Sequence, residues 1–405
     1  MEAFHRLDDK ERGQAFAAAG NQLGLPAYII EKDFHVTVVL ECLFGPIWSQ
    51  LKEPNEHDPF VFKGGTTLSK VYAVIERMSE DIDLALNMSF LGHPEPEQES
   101  SSQREKRRLP ALKEAASNFT ESKLLKMLQA ELDKVAEGYS VSVAEDTEDA
   151  LEVHYPRLCD EYNSDAYIKP RVLVETGGRA AQLPNSPHMI KPLVASVAEE
   201  ADVEVSVVTL DISRTFFEKI TAVHAFIHQD KIESRSSRHL YDIVRIALSH
   251  PDIVTDTAML ISVAEHKKRY FRAGSAKYDL ASQGHLKLVP VTNEQYQTFS
   301  DDWDKMQDMF AGERPEFGQL ISTLSDLQRL INCCVTFPFE SVGRLLSENE
   351  NSYQLIAILY PFLRTLGIDN AHAMSLKLGY MKMTVSPDQW PGEMKKILQM
   401  QTKAR

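Results

Sequence analysis

F-K-G-G-T-T-L-S-K (Phe62–Lys70), followed closely by S-E-D-I-D-L-A-L (Ser79–Leu86), is the stretch that decides how this chain reads. In the second segment Ile82, Leu84 and Leu86 alternate to one face of a strand, which leaves Asp81 and Asp83 together on the other. Paired carboxylates at a strand end can hold a divalent metal. In the first segment the small residues Gly64, Gly65, Thr66 and Thr67 follow an apolar strand. Such a turn lets backbone N–H groups approach a phosphate, its hydroxyls add donors, and the following helix presents its N-terminus to the anion. Lys63, Lys70 and Ser79 flank the turn and complete the set expected to bind a phosphate-bearing ligand.

Working outward, a third acid is expected from a neighbouring strand. In Y-I-K-P-R-V-L-V-E-T-G-G-R (Tyr167–Arg179), Arg171, Leu173 and Glu175 share a face while Val172 and Val174 share the other. Glu175 ends the apolar run and joins Asp81 and Asp83 as the expected metal set, with Asp211 the competing acid. Farther on, Phe216, Ile220, Val223 and Ile227 form an apolar stripe at helical spacing, and Lys219 borders it. Lys219 either contacts phosphate or snorkels. Asp242, beside Leu240 and Ile243, is expected to orient Lys219, to contact a nucleotide, or to form a buried ion pair with Arg238 or Lys219.

These motifs resemble those of the AbiEii/AbiGii-type toxin nucleotidyltransferases, bacterial abortive-infection and toxin–antitoxin enzymes of the polymerase-beta-like fold. The resemblance begins at I-I-E-K-D-F-H-V-T (Ile29–Thr37), and F-F-E-K-I-T-A-V-H (Phe216–His224) and R-H-L-Y-D-I (Arg238–Ile243) match the family's lysine and closing motifs. Where many relatives carry Asp, this chain has His239. The resemblance implies Mg2+-dependent transfer of a nucleoside monophosphate from an NTP to a hydroxyl, with loss of pyrophosphate, by Asp81, Asp83, Glu175, Lys219 and Asp242. It further implies a phage-defence toxin, a possible cognate antitoxin and, in some relatives, tRNA ends as acceptor. The rival readings are transfer to a protein or small molecule, and an NTP-binding module without turnover. Glu31, Lys32 and Asp33 read as a capped, salt-bridged helix start, and the resemblance implies that Lys32 and Asp33 are architectural residues near the site rather than catalytic ones.

At 405 residues the chain has room for two or three domains. Strand-like segments are expected at 60–63, 81–87, 141–144, 151–154, 168–176, 189–194 and 203–210, and a loop-like insertion with a helix from about Leu109 spans residues 90–138. Beyond residue 212 the pattern is helical, at 214–229, 236–249, 252–271, 293–311, 316–334, 339–347 and 351–366. The expected fold is therefore α/β (α+β): a mixed-sheet nucleotidyltransferase domain over 1–212, then a helical domain over 213–405 that completes the nucleotide site. A net charge of −15 argues against broad affinity for nucleic acid, so an RNA partner needs a local basic surface. Arg104, Lys106, Arg107 and Arg108 form one such cluster. His266, Lys267, Lys268, Arg269 and Arg272 form another, interleaved with Tyr270 and Phe271 in a manner suited to base stacking. No unbroken run of 18 apolar residues and no signal-like start is present, so a soluble, cytoplasmic protein without membrane partners is expected. The vicinal pair Cys333-Cys334 reads as buried core.

Overall fold

Hydrophobic alternation in seven short segments builds the sheet that carries the motifs. The computed structural model describes residues 1–52, 58–159, 169–271, 273–310 and 314–336, with scattered positions between 378 and 396. Among these, β1 (Phe60–Lys63), β2 (Ile82–Leu86), β3 (Ser140–Val143), β4 (Ala150–His154), β5 (Val172–Gly177), β6 (Asn185–Ile190) and β7 (Val205–Leu210) form one mixed sheet in the order β3-β4-β5-β2-β1-β7-β6. The β2–β5 and β1–β7 pairs are parallel, and the others antiparallel. Phe60, Phe62, Ile82, Leu84, Leu86, Val172, Val174 and Val207 turn one face of the sheet into the main core. The opposite face keeps only small apolar groups such as Val61, Ala85 and Leu210, and it holds the polar members of the motifs.

The principal helices of the first half are α1 (Asp9–Leu23), α2 (Ala27–Cys42), α3 (Gly65–Lys70), α4 (Leu109–Asn118) and α5 (Leu125–Val135). Asp8 and Glu11 close a reciprocal capping box at the start of α1, and Gly24 ends it in the left-handed region. Helical structure continues beyond α2 to Leu51. The run Ala27–Leu51 is long and apolar enough to cross a membrane, a property that counting an unbroken apolar run does not register, yet 67 % of its most apolar window is buried inside the protein. It is the core helix that the sheet packs around.

Three expectations shift. The strand expected at 189–194 lies at Asn185–Ile190, because its partner β7 fixes the register from Asn185↔Leu210 to Ile190↔Val205 and Pro192 starts a 3-10 turn. An edge position tolerates Pro187 inside that strand. The insertion turns helical at Ser101 rather than Leu109, because Ser100 and Gln103 form a capping box. The helix expected over 252–271 divides into a 3-10 turn, Pro251–Thr255, and a helix starting at Thr257, because the Asp256 side chain caps the Met259 amide. β5 is described from Val172, and residues 160–168 before it lie outside the described residues, as do the helices expected at 339–347 and 351–366.

The chain divides into two units: Met1–Thr215 with Asp304–Arg314, and Phe216–Trp303 with Pro315–Arg405. Asp304–Arg314 belongs to the first unit through the Met78 amide, which donates to the Met309 carbonyl at 2.7 Å, and through a bridge between Arg77 and Phe310. The second unit is helical, with α6 (Ile212–Gln229) running into it from the first, then α7 (Ser237–Ser249), α8 (Thr257–Tyr270), α9 (Asn293–Lys305) and α10 (Phe317–Thr336). Asp302 caps α7 by accepting from the Arg235 and Ser237 amides at 2.6 and 2.8 Å.

A buried polar network fastens α2 within the first unit. His35 Nδ1 lies 2.7 Å from the Tyr139 hydroxyl, which lies 3.2 Å from His5 Nε2, and the His35 ring stacks on Tyr155 at 4.0 Å. Burial pushes His5 down to about 4 and His35 well below the ordinary histidine value, with the Arg12 charge adding to both. Both rings are thus neutral in the folded protein at pH 7, whereas in the unfolded chain they take protons near pH 6.5. Stability is therefore expected to fall as pH drops from about 6.5 towards 4. Thermal melts across that window check this: the slope flattens in His35→Phe, and an unchanged slope in that variant contradicts the assignment.

Candidate active site

Register places the site. β2 lies between β1 and β5, and the pairings Lys63↔Asp83 and Asp83↔Glu175 set these three side chains in one row across three adjacent strands. Paired residues point to the same face, and this row lies opposite the apolar core. Lys63, Asp83 and Glu175 are each half-buried, as is Asp81 just before β2. The competing acid Asp211 is engaged elsewhere: its carboxylate accepts from the Ser213 amide and hydroxyl at 2.8 and 2.6 Å, at the start of α6.

The glycine pair lies against the row. Gly64 has φ +87°, and a Cβ built on it would overlap the Asp83 carboxylate. A Cβ on Gly65 would meet the Ser79 hydroxyl and lie 3.1 Å from Arg77 Nη2. Only glycine combines that backbone angle with so close an approach. The threonine hydroxyls behave differently from expectation. Thr66 Oγ1 donates to the Asp81 carbonyl at 2.6 Å, Thr67 Oγ1 donates to the Gly64 carbonyl at 2.8 Å, and both residues are fully buried. They brace the turn and the lead into β2, so any donors the turn offers a phosphate are backbone amides.

The acidic–basic–acidic triplet in the second turn of α2 is buried, which no surface reading of it foresees: Glu31 is 0 %, Lys32 1 % and Asp33 8 % exposed. Each residue holds a different segment of the first unit. Glu31 accepts from the Leu158 amide at 2.6 Å and the Cys159 amide at 3.3 Å. Lys32 Nζ pairs with the Glu80 carboxylate and donates to the Lys169 carbonyl. Asp33 accepts from Lys70 Nζ at 2.5 Å and from the Leu193 amide at 2.7 Å. Burial pushes the Glu31 carboxyl up, opposed by the two amides, and the Lys32 ammonium down, opposed by Glu80 and Asp81. Lys70, expected at the ligand, is thereby held in an ion pair at the end of α3, with its side chain 6 % exposed.

In the second unit Lys219 Nζ and Asp242 form an ion pair of 2.8 Å, with side-chain exposures of 9 % and 0 %. Among the alternatives for Asp242, the structure selects the pair with Lys219. His224, at the end of the lysine motif, accepts from the Lys287 amide at Nδ1 and lies 2.9 Å from the Lys277 carbonyl at Nε2; burial holds it down at about 4. The basic run His266–Arg269 is not an open stacking platform. Tyr270 is 2 % exposed, Lys267 Nζ lies 4.4 Å from the Phe271 ring, and Arg269 lies 5.7 Å from that of Tyr270, so the segment's own cations cover its aromatics. Its charges sit in the last turn of α8, where they complement the helix dipole. Arg272 lies outside the described residues.

The family model described as "Nucleotidyl transferase AbiEii toxin, Type IV TA system" matches residues 47–329. The chain belongs to the AbiEii family. It is accordingly a nucleotidyltransferase toxin of a type IV toxin–antitoxin system. Among solved structures it is similar to MenT4, a nucleotidyltransferase toxin from Mycobacterium tuberculosis, at 16 % identity and a TM-score of 0.37, covering 77 % of this chain and 98 % of that one. No curated protein matches.

The AbiEii assignment implies an NTP substrate and a divalent metal. Asp81, Asp83 and Glu175 offer the all-oxygen donors that Mg2+ prefers, and the missing Cβ of Gly64 leaves room for the Asp83 carboxylate. Among the described residues no three His, Cys, Asp or Glu side chains already converge as a cage. Two residues of the site escaped the sequence reading: Glu80, the partner of Lys32, and Arg77, 2 % exposed with its guanidinium against Gly65. Their signal was present in E-R-M-S-E-D, a charged run next to apolar sequence.

If the Gly64 gap seats Asp83, then Gly64→Ala is expected to displace that carboxylate and lower nucleotide transfer by ~100-fold or more, since small misplacements at a reacting centre have effects of that order. Turnover measured beside a thermal melt checks it. Near-parental turnover in a folded Gly64→Ala chain contradicts the close approach.

Proposed function

We propose that the protein is a Mg2+-dependent toxin that moves a nucleoside monophosphate from an NTP to the terminal hydroxyl of an RNA, tRNA foremost, in the cytoplasm, as an abortive-infection response to phage. The observation that carries the catalytic part is the row Lys63, Asp83 and Glu175 with the Gly64-Gly65 turn against it. In this reading Asp81, Asp83 and Glu175 would hold the metal, which would supply neutralising charge to the triphosphate. Backbone amides of Gly64 to Thr67 receive phosphate oxygens, and Lys63 adds a positive charge on the same face. Ser79 stands beside Gly65 to contact the same group, and Lys70 keeps α3 in place through Asp33. In the second unit the Lys219–Asp242 ion pair carries the family's lysine motif, and a part for it in the transfer is read from that motif alone. Such transfer depends on positioning and electrostatics rather than on a protein nucleophile, which matches a site of carboxylates, cations and amides.

RNA as the acceptor, and the antitoxin that opposes the toxin, rest on the family. The basic surface the first unit offers to RNA is in the insertion. There Arg104 and Arg108 are pinned to Glu99 at 3.1 and 2.8 Å, which leaves Lys106 and Arg107 exposed; Arg107 lines a cavity of about 380 Å³ together with His93, Gln98, Glu99 and Gln103.

Incubation with each α-labelled NTP, Mg2+ and total RNA tests the reading. Label is expected at RNA ends, with pyrophosphate released, and Asp83→Asn is expected to reduce it by ~100-fold or more with little change in melting temperature, because one charged ligand is lost while shape is kept. Label on protein or on a small molecule instead of RNA would replace the acceptor. Full labelling by Asp83→Asn would remove the metal assignment.

A further inference from the structure

Lys32 lies outside the row of site residues yet touches both chain segments that lead into it. Its ammonium pairs with Glu80, the residue before Asp81, and donates to the carbonyl of Lys169, just upstream of β5 and Glu175. The residue is 1 % exposed. β2 and β5 run parallel, so the two segments Lys32 joins enter the sheet from the same end and on neighbouring strands. Two further contacts restrain the surroundings: Asp33 holds α3 through Lys70, and Thr66 holds the Asp81 carbonyl from within α3. Lys32 on the Glu80 side chain and Thr66 on the Asp81 carbonyl thus tie the lead into β2 at two points.

We propose that Lys32 is a positioning residue for the metal-binding carboxylates: by clamping Glu80 and the Lys169 carbonyl together, it sets the spacing of Asp81 and Glu175 at which a divalent cation binds. This rests on the nucleotidyltransferase site proposed above. The clamp acts on the Glu80 carboxylate and the Lys169 carbonyl, not on substrate, so Lys32 is not a catalytic residue. Partners that orient metal ligands without touching the ion typically change affinity by ~10- to 100-fold when removed.

The test separates positioning from stability. Lys32→Met alone leaves the buried Glu80 carboxylate without its cation, which is strongly destabilising in general. The double variant Lys32→Met/Glu80→Gln removes both charges, keeps the net charge of the parent, and so keeps the long-range attraction for a cation. Mn2+ binding is measured by calorimetry in the presence of a non-hydrolysable NTP analogue, beside a thermal melt. The double variant is expected to melt within a few degrees of the parent while binding Mn2+ ~10-fold or more weakly. Lys32→Arg, which keeps a cation against both acceptors, is expected to bind within threefold of the parent. Should the double variant not fold, Lys32→Leu/Glu80→Gln, which also removes both charges, replaces it with the same expectation.

Parental Mn2+ affinity in the folded double variant, or equal weakness in Lys32→Arg, overturns the proposal and reduces Lys32 to a stabilising ion pair. The control is Asp83→Asn. If its Mn2+ binding equals the parent's, the metal site itself is misassigned, and the proposed function fails together with this inference. If Asp83→Asn loses binding while the double variant does not, only the positioning role of Lys32 fails.

Discussion

The close approach of the Gly64 backbone to the Asp83 carboxylate is the constraint on which the rest of the site depends. It requires a residue without Cβ at a positive φ, a neighbouring strand that delivers Asp83 to that point, and a fixed start for that strand. The structure meets the three conditions separately. Antiparallel pairing of β1 with β2 puts Lys63, directly before Gly64, opposite Asp83. Thr66 and Thr67 turn their hydroxyls inward to hold the turn. The buried triplet on α2 then ties down the surrounding segments, with one charged side chain for each.

That triplet explains why an apolar core helix carries three charges where hydrophobic residues would pack more cheaply. A buried ion pair gives little net stability compared with an apolar replacement, but it fixes geometry, because only one arrangement satisfies both partners. Here Lys32 concerns the leads into β2 and β5, Asp33 the end of α3, and Glu31 the chain just after β4. Helix α2 is therefore both the centre of the hydrophobic core and a frame for the polar face on the other side of the sheet.

Much of this was legible in the chain. Period-two alternation found the strands, because each has one face in the core and one outside it, and the β5 reading placed Leu173 and Glu175 on the polar face before any pairing was known. What alternation cannot reveal is pairing order. Asp83 and Glu175 are far apart in sequence, and only the sheet order makes them neighbours. Local reading also assigned Thr66, Thr67 and Lys70 to the ligand, since hydroxyls and an ammonium beside a glycine turn look available until tertiary partners are seen. The basic–aromatic run at 266–271 failed for a related reason: spacing reports which side chains are adjacent, not whether they cover one another. The start of the insertion helix at Ser101 is legible in the chain, because Ser100 and Gln103 spell a capping box.

The account stands on the claim that the face shared by Asp81, Asp83 and Glu175 is where metal and triphosphate meet. Crystals soaked with Mn2+ and a non-hydrolysable NTP test it most directly through anomalous scattering. The expected result is a peak within about 2.0 to 2.3 Å of carboxylate oxygens of Asp81 or Asp83, with triphosphate oxygens completing the shell and Glu175 on the same face. A metal–nucleotide complex bound elsewhere, with these three carboxylates untouched, would contradict it.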